Sequence, residues 1–282
     1  MVIVLNGMAF GVLLLVLSTG LALIFGLRGV INFAHGAIYM VAAYIGLTIS
    51  TEANYWVALV GVPVIFGLIG LVADRWGLRY LTEREPMEIM LLTFGLTFVL
   101  SNVVTKFWGT QPRTLEPPSV LDGTIEIFGV AYPTYRYFLI AVGLLIAAGL
   151  IVWLRRSKTG LQVRAVSIDR SAAGVVGVNV DRVSATVVAM GLAMAGLAGV
   201  LAGPYLSLSP NMGVEILVLT FIVVVVGGLG SISGPMAAAL ILGMLNAVTA
   251  VHLPDISAYV PYALMLGILL FRPKGIAGTR SL

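Results

Sequence analysis

Nine apolar runs fill this chain, at 3–26, 32–50, 56–73, 88–108, 136–154, 184–204, 214–229, 235–251 and 256–271, each bounded by charge, proline or glycine. A helix needs about 20 apolar residues to cross the hydrocarbon of a bilayer. The pattern therefore predicts an all-α, polytopic membrane helix bundle of about 8–10 transmembrane segments, forming a single domain over 1–282. Two glycine-rich stretches, Gly29–Gly36 and Gly227–Pro235, read either as loops or as breaks that make helices discontinuous or re-entrant, so the number of spans is open. The longest connection, Thr110 to Tyr135, holds Pro112, Pro117, Pro118, Asp122–Gly123 and Pro133, which predicts a turn-rich cap built on one hairpin. The stretches GLRGVINFAHGA and GGLGSISGPMA share a glycine-leucine step, a polar residue and a small-residue helix start, a hint of two structural repeats.

Composition removes the soluble alternatives. Hydrophobic residues make up 60% of the 282 and charged residues 10%, with a mean hydropathy of +1.07, far beyond what polar surface can cover in water. No stretch has room for a soluble catalytic domain. Cysteine is absent, which excludes Cys-ligated metal and leaves the compartment unconstrained by disulfides. The opening MVIVLNGM has no Lys or Arg before its apolar run and no cleavage site after it, so it reads as a retained first span. Alternating the nine runs across a membrane gathers Arg28, Arg75, Arg79, Arg84, the six basic residues of Arg155–Arg182, and Arg272, Lys274 and Arg280 on one side. Only Lys106, Arg113 and Arg136 fall on the other. Thirteen against three predicts an outside N-terminus and a cytoplasmic C-terminus.

The segment 155–183 is a basic island between two long apolar runs. Its RSAAGVVGVNV places Ser171, Ala172 and Ala173 ahead of Gly177, a spacing that resembles the loop by which membrane subunits of bacterial ABC importers grip their ATPases. Asp169 can cap a short helix through Val176, with Gly177 as its left-handed stop. The competing reading is a basic loop held to anionic lipid, worth about 1 kcal/mol per basic residue. The chain has no phosphate-binding loop, so a motor would sit on another chain.

In FGLRGVINFAHGAIYM, Gly26 and Gly29 can break a helix, Asn32 can cap a new one, and Phe33 onward can restart it. A half-helix N-terminus facing a protein-lined cavity suits a carboxylate, and Asn32, His35 and Gly36 would line that route. The alternative is a tight turn with His35 in water. Gly228 and Gly230 in GLGSISG mimic a dinucleotide fingerprint without the strand–helix unit that gives it meaning. They read as a helix break, with a gating role beside the pathway as the functional option. Gly191, Ala195, Gly199 and Gly203 form a small-residue stripe, for packing inside the chain or for a seam between two copies. Glu215 is placed at the outer end of its span, solvated or greeting a substrate ammonium. His252 reads as a loop residue, and two histidines without an acidic cluster argue against a metal site.

Taken together, FGLRGVINFAHGAIYM, Leu91–Arg113, Arg156–Val180, LAMAGLAGVLAGP, VGGLGSISGP and FRPKGI resemble branched-chain amino acid permeases of the LivH type along nearly the whole chain. The resemblance implies an inner-membrane importer subunit working with a second, related permease, two cytoplasmic ATPases that hold the ATP, and a periplasmic binding protein, with no cofactor in this chain and no nucleic acid. Relatives of this type also serve urea and short amides. Ser171 stands where the general consensus has Glu, and Ala189-Met190 where some relatives have Leu-Pro. An ion-coupled carrier would usually bury acids or bases in mid-span, where this chain has few, and a membrane enzyme would need a catalytic constellation that is not visible.

Overall fold

The computed structural model describes residues 1–29, 32–78, 84–127 and 129–278. Arg79 and Arg280, counted above among the basic residues, lie outside them. Eleven α-helices occur among the described residues: α1 Val2–Arg28, α2 Ala34–Glu52, α3 Tyr55–Ala73, α4 Pro86–Trp108, α5 Thr134–Arg156, α6 Lys158–Ile168, α7 Arg170–Val175, α8 Val180–Ala202, α9 Met212–Gly227, α10 Ser233–His252 and α11 Val260–Phe271. A π-helical turn, Asp74–Leu78, extends α3, and a 3-10 turn, Pro254–Tyr259, precedes α11. Eight of these elements are long and apolar enough to cross a membrane, while α9, with 16 residues, is shorter.

Helices α1 and α8 form the centre. α1 is apolar on every side and buried along most of its length, as expected of a helix surrounded by others. Glycines bring its neighbours close. A Cβ on Gly20 would lie 2.8 Å from the Gly191 carbonyl, and one on Gly7 would lie 2.9 Å from Met244 Cα of α10. The stripe on α8 is consumed inside the chain, with Gly191 against Ile24 and Gly20 of α1, Gly199 against Ala42 and Ala43 of α2, and Ala195 fully buried. Gly203 sits one residue past the end of α8, against Leu115. The seam between two copies is therefore excluded for this stripe. α3, α4 and α11 instead present apolar side chains outward, among them Val60, Leu68, Leu91, Phe98, Leu266 and Phe271, the faces a bilayer or another subunit would cover.

At the N-terminal end, called here the far end, the predicted hairpin forms from β1 Thr124–Ile127 and antiparallel β2 Val130–Pro133. Tyr132 Oη and Arg136 Nη1 both donate to Asn6 Oδ1, at 2.9 and 2.6 Å. The Arg136 guanidinium lies 5.6 and 5.3 Å from the ring centres of Tyr132 and Tyr205. An isolated bridge, Arg113 to Leu208, ties the cap to the segment between α8 and α9.

The opposite, basic end is locked differently. Arg28 closes α1 with an ion pair to Asp74, on the π turn, and donates to Ser184 Oγ of α8 at 2.7 Å. Ser184 in turn donates to Asp74 Oδ1 at 2.9 Å. Asp74 is completely buried. Among the described residues Asp74 is thus a deeply buried acid, at a position that apolar-run counting places at a span boundary in water.

Candidate translocation and coupling sites

α1 runs straight through Gly26, where a side chain would meet open space, and stops at Gly29, whose φ of 68° is left-handed. Gly26 is therefore no break, contrary to the sequence expectation, because a single glycine costs only about 1 kcal/mol inside a helix that packing already holds. At Asn32, the next described residue, the chain lies inside the bundle. Asn32 Oδ1 accepts from Ala34 N at 3.0 Å and the Asn32 carbonyl accepts from His35 N at 3.2 Å, so Asn32 caps α2. α4 supplies the remaining partners: Thr93 Oγ1 accepts from Phe33 N at 3.2 Å and Thr97 Oγ1 donates to the Phe33 carbonyl at 3.1 Å.

The depth of this restart decides its meaning. His35 is fully buried, with Nε2 3.1 Å from the Leu17 carbonyl of α1 and its ring edge beside Gly20. Leu17 and Gly20 lie eleven and eight residues before Arg28, or about 12–16 Å along a helix. α2 therefore begins near the middle of the bundle, and the reading of a plain turn with His35 in water is overturned. A carbonyl can only accept, so Nε2 carries the proton and Nδ1 is left a buried acceptor. Nδ1 has no protein partner, and neither has the buried Tyr39 hydroxyl one turn later.

α8 and α9 repeat this arrangement in the opposite direction. α8 ends at Ala202, residues 203–211 fold back, and α9 starts at Met212. A Cβ on Gly213 would lie 3.0 Å from the Gly36 carbonyl and 3.1 Å from Ala37 Cα. The N-termini of α2 and α9 thus meet inside the bundle. The counterpart of GLRGVINFAHGA is the stretch leading into Gly213, not GGLGSISGPMA, and Glu215 stands at mid-depth instead of at the outer end of a span.

Asn32, His35 and Gly36 are brought together, whereas Gly228 and Gly230 are not with them. They lie past the other end of α9, about 22 Å from Gly213 by helical rise. Gly228, at φ 107°, packs on the tail around Lys274 and Gly278, and two backbone hydrogen bonds, Ile276 N to Val226 O at 2.8 Å and Ala277 N to Gly227 O at 3.0 Å, fasten that tail. Gly230, at φ 87°, faces open space. A structural turn accounts for both.

In the island, Ser157 Oγ caps α6 by accepting from Gly160 N at 2.8 Å, and Asp169 Oδ1 caps α7 by accepting from Ala172 N at 2.9 Å. Gly177, at φ 86°, ends α7, with Gly177 N bonded to Gly174 O and Val178 N to Ala173 O, each at 3.0 Å. This double closure satisfies the last carbonyls of the helix. Ala173 faces inward, while Ser171 and Ala172 face out. Around them Ile168, Val175 and Val176 are 86%, 86% and 77% exposed, an apolar knob at the basic end of the molecule. Two residues later Asn179 Oδ1 accepts from Arg182 N at 3.0 Å and starts α8, so α7 connects almost directly to Ser184 and the Arg28–Asp74 pair. Sequence reading missed that triad. Its one visible signal is Asp74 at the end of an apolar run, and nothing local pairs it with a residue 46 positions away.

The family model described as branched-chain amino acid transport system / permease component matches residues 3–269. The chain is 30% identical to the high-affinity branched-chain amino acid transport system permease protein LivH of Escherichia coli (strain K12), and 28% identical to BraD of Pseudomonas aeruginosa. Each match covers 97% of this chain and 94% of the relative. A more distant similarity, 28% over 83% of this chain and 69% of the relative, reaches the L-arabinose ABC transporter permease protein AraH of Azospirillum brasilense. No solved structure matches significantly. With nearly its whole length matched, the chain belongs to the permease-component family of branched-chain amino acid transport systems.

Proposed function

We propose that this chain is the membrane-spanning permease subunit of an ABC importer that moves branched-chain amino acids into the cytoplasm. It pairs with a second, related permease and is driven by two ATPases that bind the basic end. The N-terminus lies outside and the C-terminus inside, in keeping with the thirteen-to-three split of basic residues. The 110–135 cap, on the outer side, meets a periplasmic binding protein. ATP is bound and hydrolysed on the partners, and this chain has no catalytic role.

The observation that carries this reading is α7. A capped helix with an exposed apolar knob, on a chain with no phosphate-binding loop, is a surface made for a partner. Movement of α7 is transmitted to α8 and from there to the ends of α1 and α3, which Ser184 holds together. At the centre, the first turn of α2 offers its helix dipole to a carboxylate passing Asn32 and His35, an attraction of about 0.3–1 kcal/mol or more where water is excluded.

Gly177→Leu tests it. A leucine in the left-handed region costs about 1–2 kcal/mol and puts bulk beside the knob. The ATPases should no longer co-purify and leucine uptake should fail, with the permease present in the membrane at its usual level. A lipid-held loop would tolerate this uncharged change and suffer instead from loss of Arg155, Arg156 and Lys158. Unchanged ATPase association in Gly177→Leu overturns the coupling role.

A further inference from the structure

Glu215 occupies a position that a single chain cannot explain. It lies two residues after Gly213, whose backbone is packed against Gly36 and Ala37 in the first turn of α2. That turn is level with Leu17 and Gly20 of α1, so Glu215 is in the middle third of the bundle. Yet it is exposed, as are Asn211 and Val214, while Val218 is half-buried. Residues 211, 214, 215 and 218 follow the i, i+3, i+4, i+7 rule and form one face of α9. The neighbouring positions Met212, Gly213, Ile216 and Leu217 are buried against the rest of the chain. A carboxylate at mid-depth cannot be left against lipid tails. Acids there face a water-filled cavity or a partner group, and they mark substrate routes.

Building on the importer reading above, we propose that the Asn211–Val214–Glu215–Val218 face of α9 lines the translocation route, and that Glu215 receives the α-ammonium of the passing amino acid. The face has the chemistry of such a substrate. Asn211 and Glu215 present an amide and a carboxylate to the polar end, and Val214 and Val218 offer apolar surface to a branched side chain. The carboxylate end is served next door, where the N-terminus of α2 meets that of α9 and the two helix ends supply positive potential. The first turn of α9 also explains why the acid is tolerated between passages, since negative charge is favoured at a helix N-terminus. A bare hydrophobic face would let either end of the zwitterion pass. A carboxylate beside a helix N-terminus sets its orientation.

The test uses the complete complex, both permeases with ATPases and binding protein, in proteoliposomes taking up radiolabelled leucine. Glu215→Gln should lower the maximal uptake rate by at least about tenfold, the factor expected from losing one hydrogen bond to a charged group. The complex should remain assembled, and Glu215→Asp should keep most of the rate. Because the chain contains no cysteine, Glu215→Cys in a complex whose other subunits are cysteine-free gives a second readout. The thiol should react with a cationic methanethiosulfonate, and leucine cycling should slow the reaction. Uptake by Glu215→Gln equal to that of the unaltered complex overturns the role of Glu215 and leaves the importer reading standing. Separation of the two permeases in Glu215→Gln overturns it in favour of an ion pair between subunits, and an unreactive thiol in Glu215→Cys overturns it in favour of a lipid-facing position. An unaltered complex that takes up no leucine strikes the importer reading itself.

Discussion

Gly29–Gly36 and Gly227–Pro235 join long helices with much the same residues, yet the first carries the chain into the middle of the bundle and the second keeps it at the basic end. Buried backbone must find hydrogen-bond partners where no water reaches. The first stretch finds them in side chains, with Asn32 on its own helix and Thr93 and Thr97 on α4. The second finds them in the backbone of the tail at Ile276 and Ala277 and in its own Ser231, with no hydrogen bond to it from a side chain of another helix among the described residues. Glycine content does not separate the two cases. What separates them is whether polar side chains from another helix converge on the break, and that is a tertiary property.

The largest test of the comparison strikes the anchor that only the first stretch has. Arg28, just before Gly29, is paired with buried Asp74 and bonded to Ser184, joining α1, α3 and α8. Removing one partner strands a buried charge, which costs about 3–5 kcal/mol. Asp74→Ala should therefore lower the thermal stability of the purified permease sharply, and Arg28→Leu should do the same. Combining the two should recover much of the loss, since neither charge is then left alone. Additive losses in the double variant would mean that the pair is not what holds the three helices together.

The close approach of α2 and α9 should respond next. Gly36 is so near Gly213 and Leu217 that a side chain must push α9 away, a strain of about 1–3 kcal/mol. Gly36→Val should reduce uptake strongly in a permease that still reaches the membrane. Gly230→Ala, into open space at a left-handed φ, should cost about 1 kcal/mol of stability and leave uptake alone. Equal transport defects would return Gly230 to the pathway.

Much of the fold was legible in the chain because hydropathy is a local signal and membranes demand long apolar runs. The nine runs correspond to the eight long elements and α9. The ends of α7 were legible too, since Asp169 and Gly177 act on backbone a few residues away. Depth was legible only in part. The polar and glycine residues before α2 allowed a half-helix restarting at Asn32 beside the alternative of a plain turn, whereas the run 214–229 reads as an ordinary span and nothing in it records that α9 begins halfway across. That fact depends on Gly36 meeting Gly213 and His35 meeting Leu17, contacts across long sequence separations. The small-residue stripe on α8 shows the same limit, because periodicity reveals that a close neighbour exists and not that it is α1 and α2.

The finest test compares two caps of similar strength. Asn32 Oδ1 accepts from Ala34 N at the start of α2, and Ser231 Oγ accepts from Gly234 N at 3.1 Å at the start of α10. Losing either costs about 1 kcal/mol, so Asn32→Leu and Ser231→Ala should lower thermal stability by similar, small amounts. Transport should tell them apart. Asn32 orders the turn that points the α2 dipole into the bundle, so Asn32→Leu should lower the rate of leucine uptake with the complex assembled. Ser231 sits in a turn at the basic end, and Ser231→Ala should take up leucine at the unaltered rate. If both variants transport normally, the mid-depth start of α2 is a packing device, and the route runs along the exposed face of α9 without it.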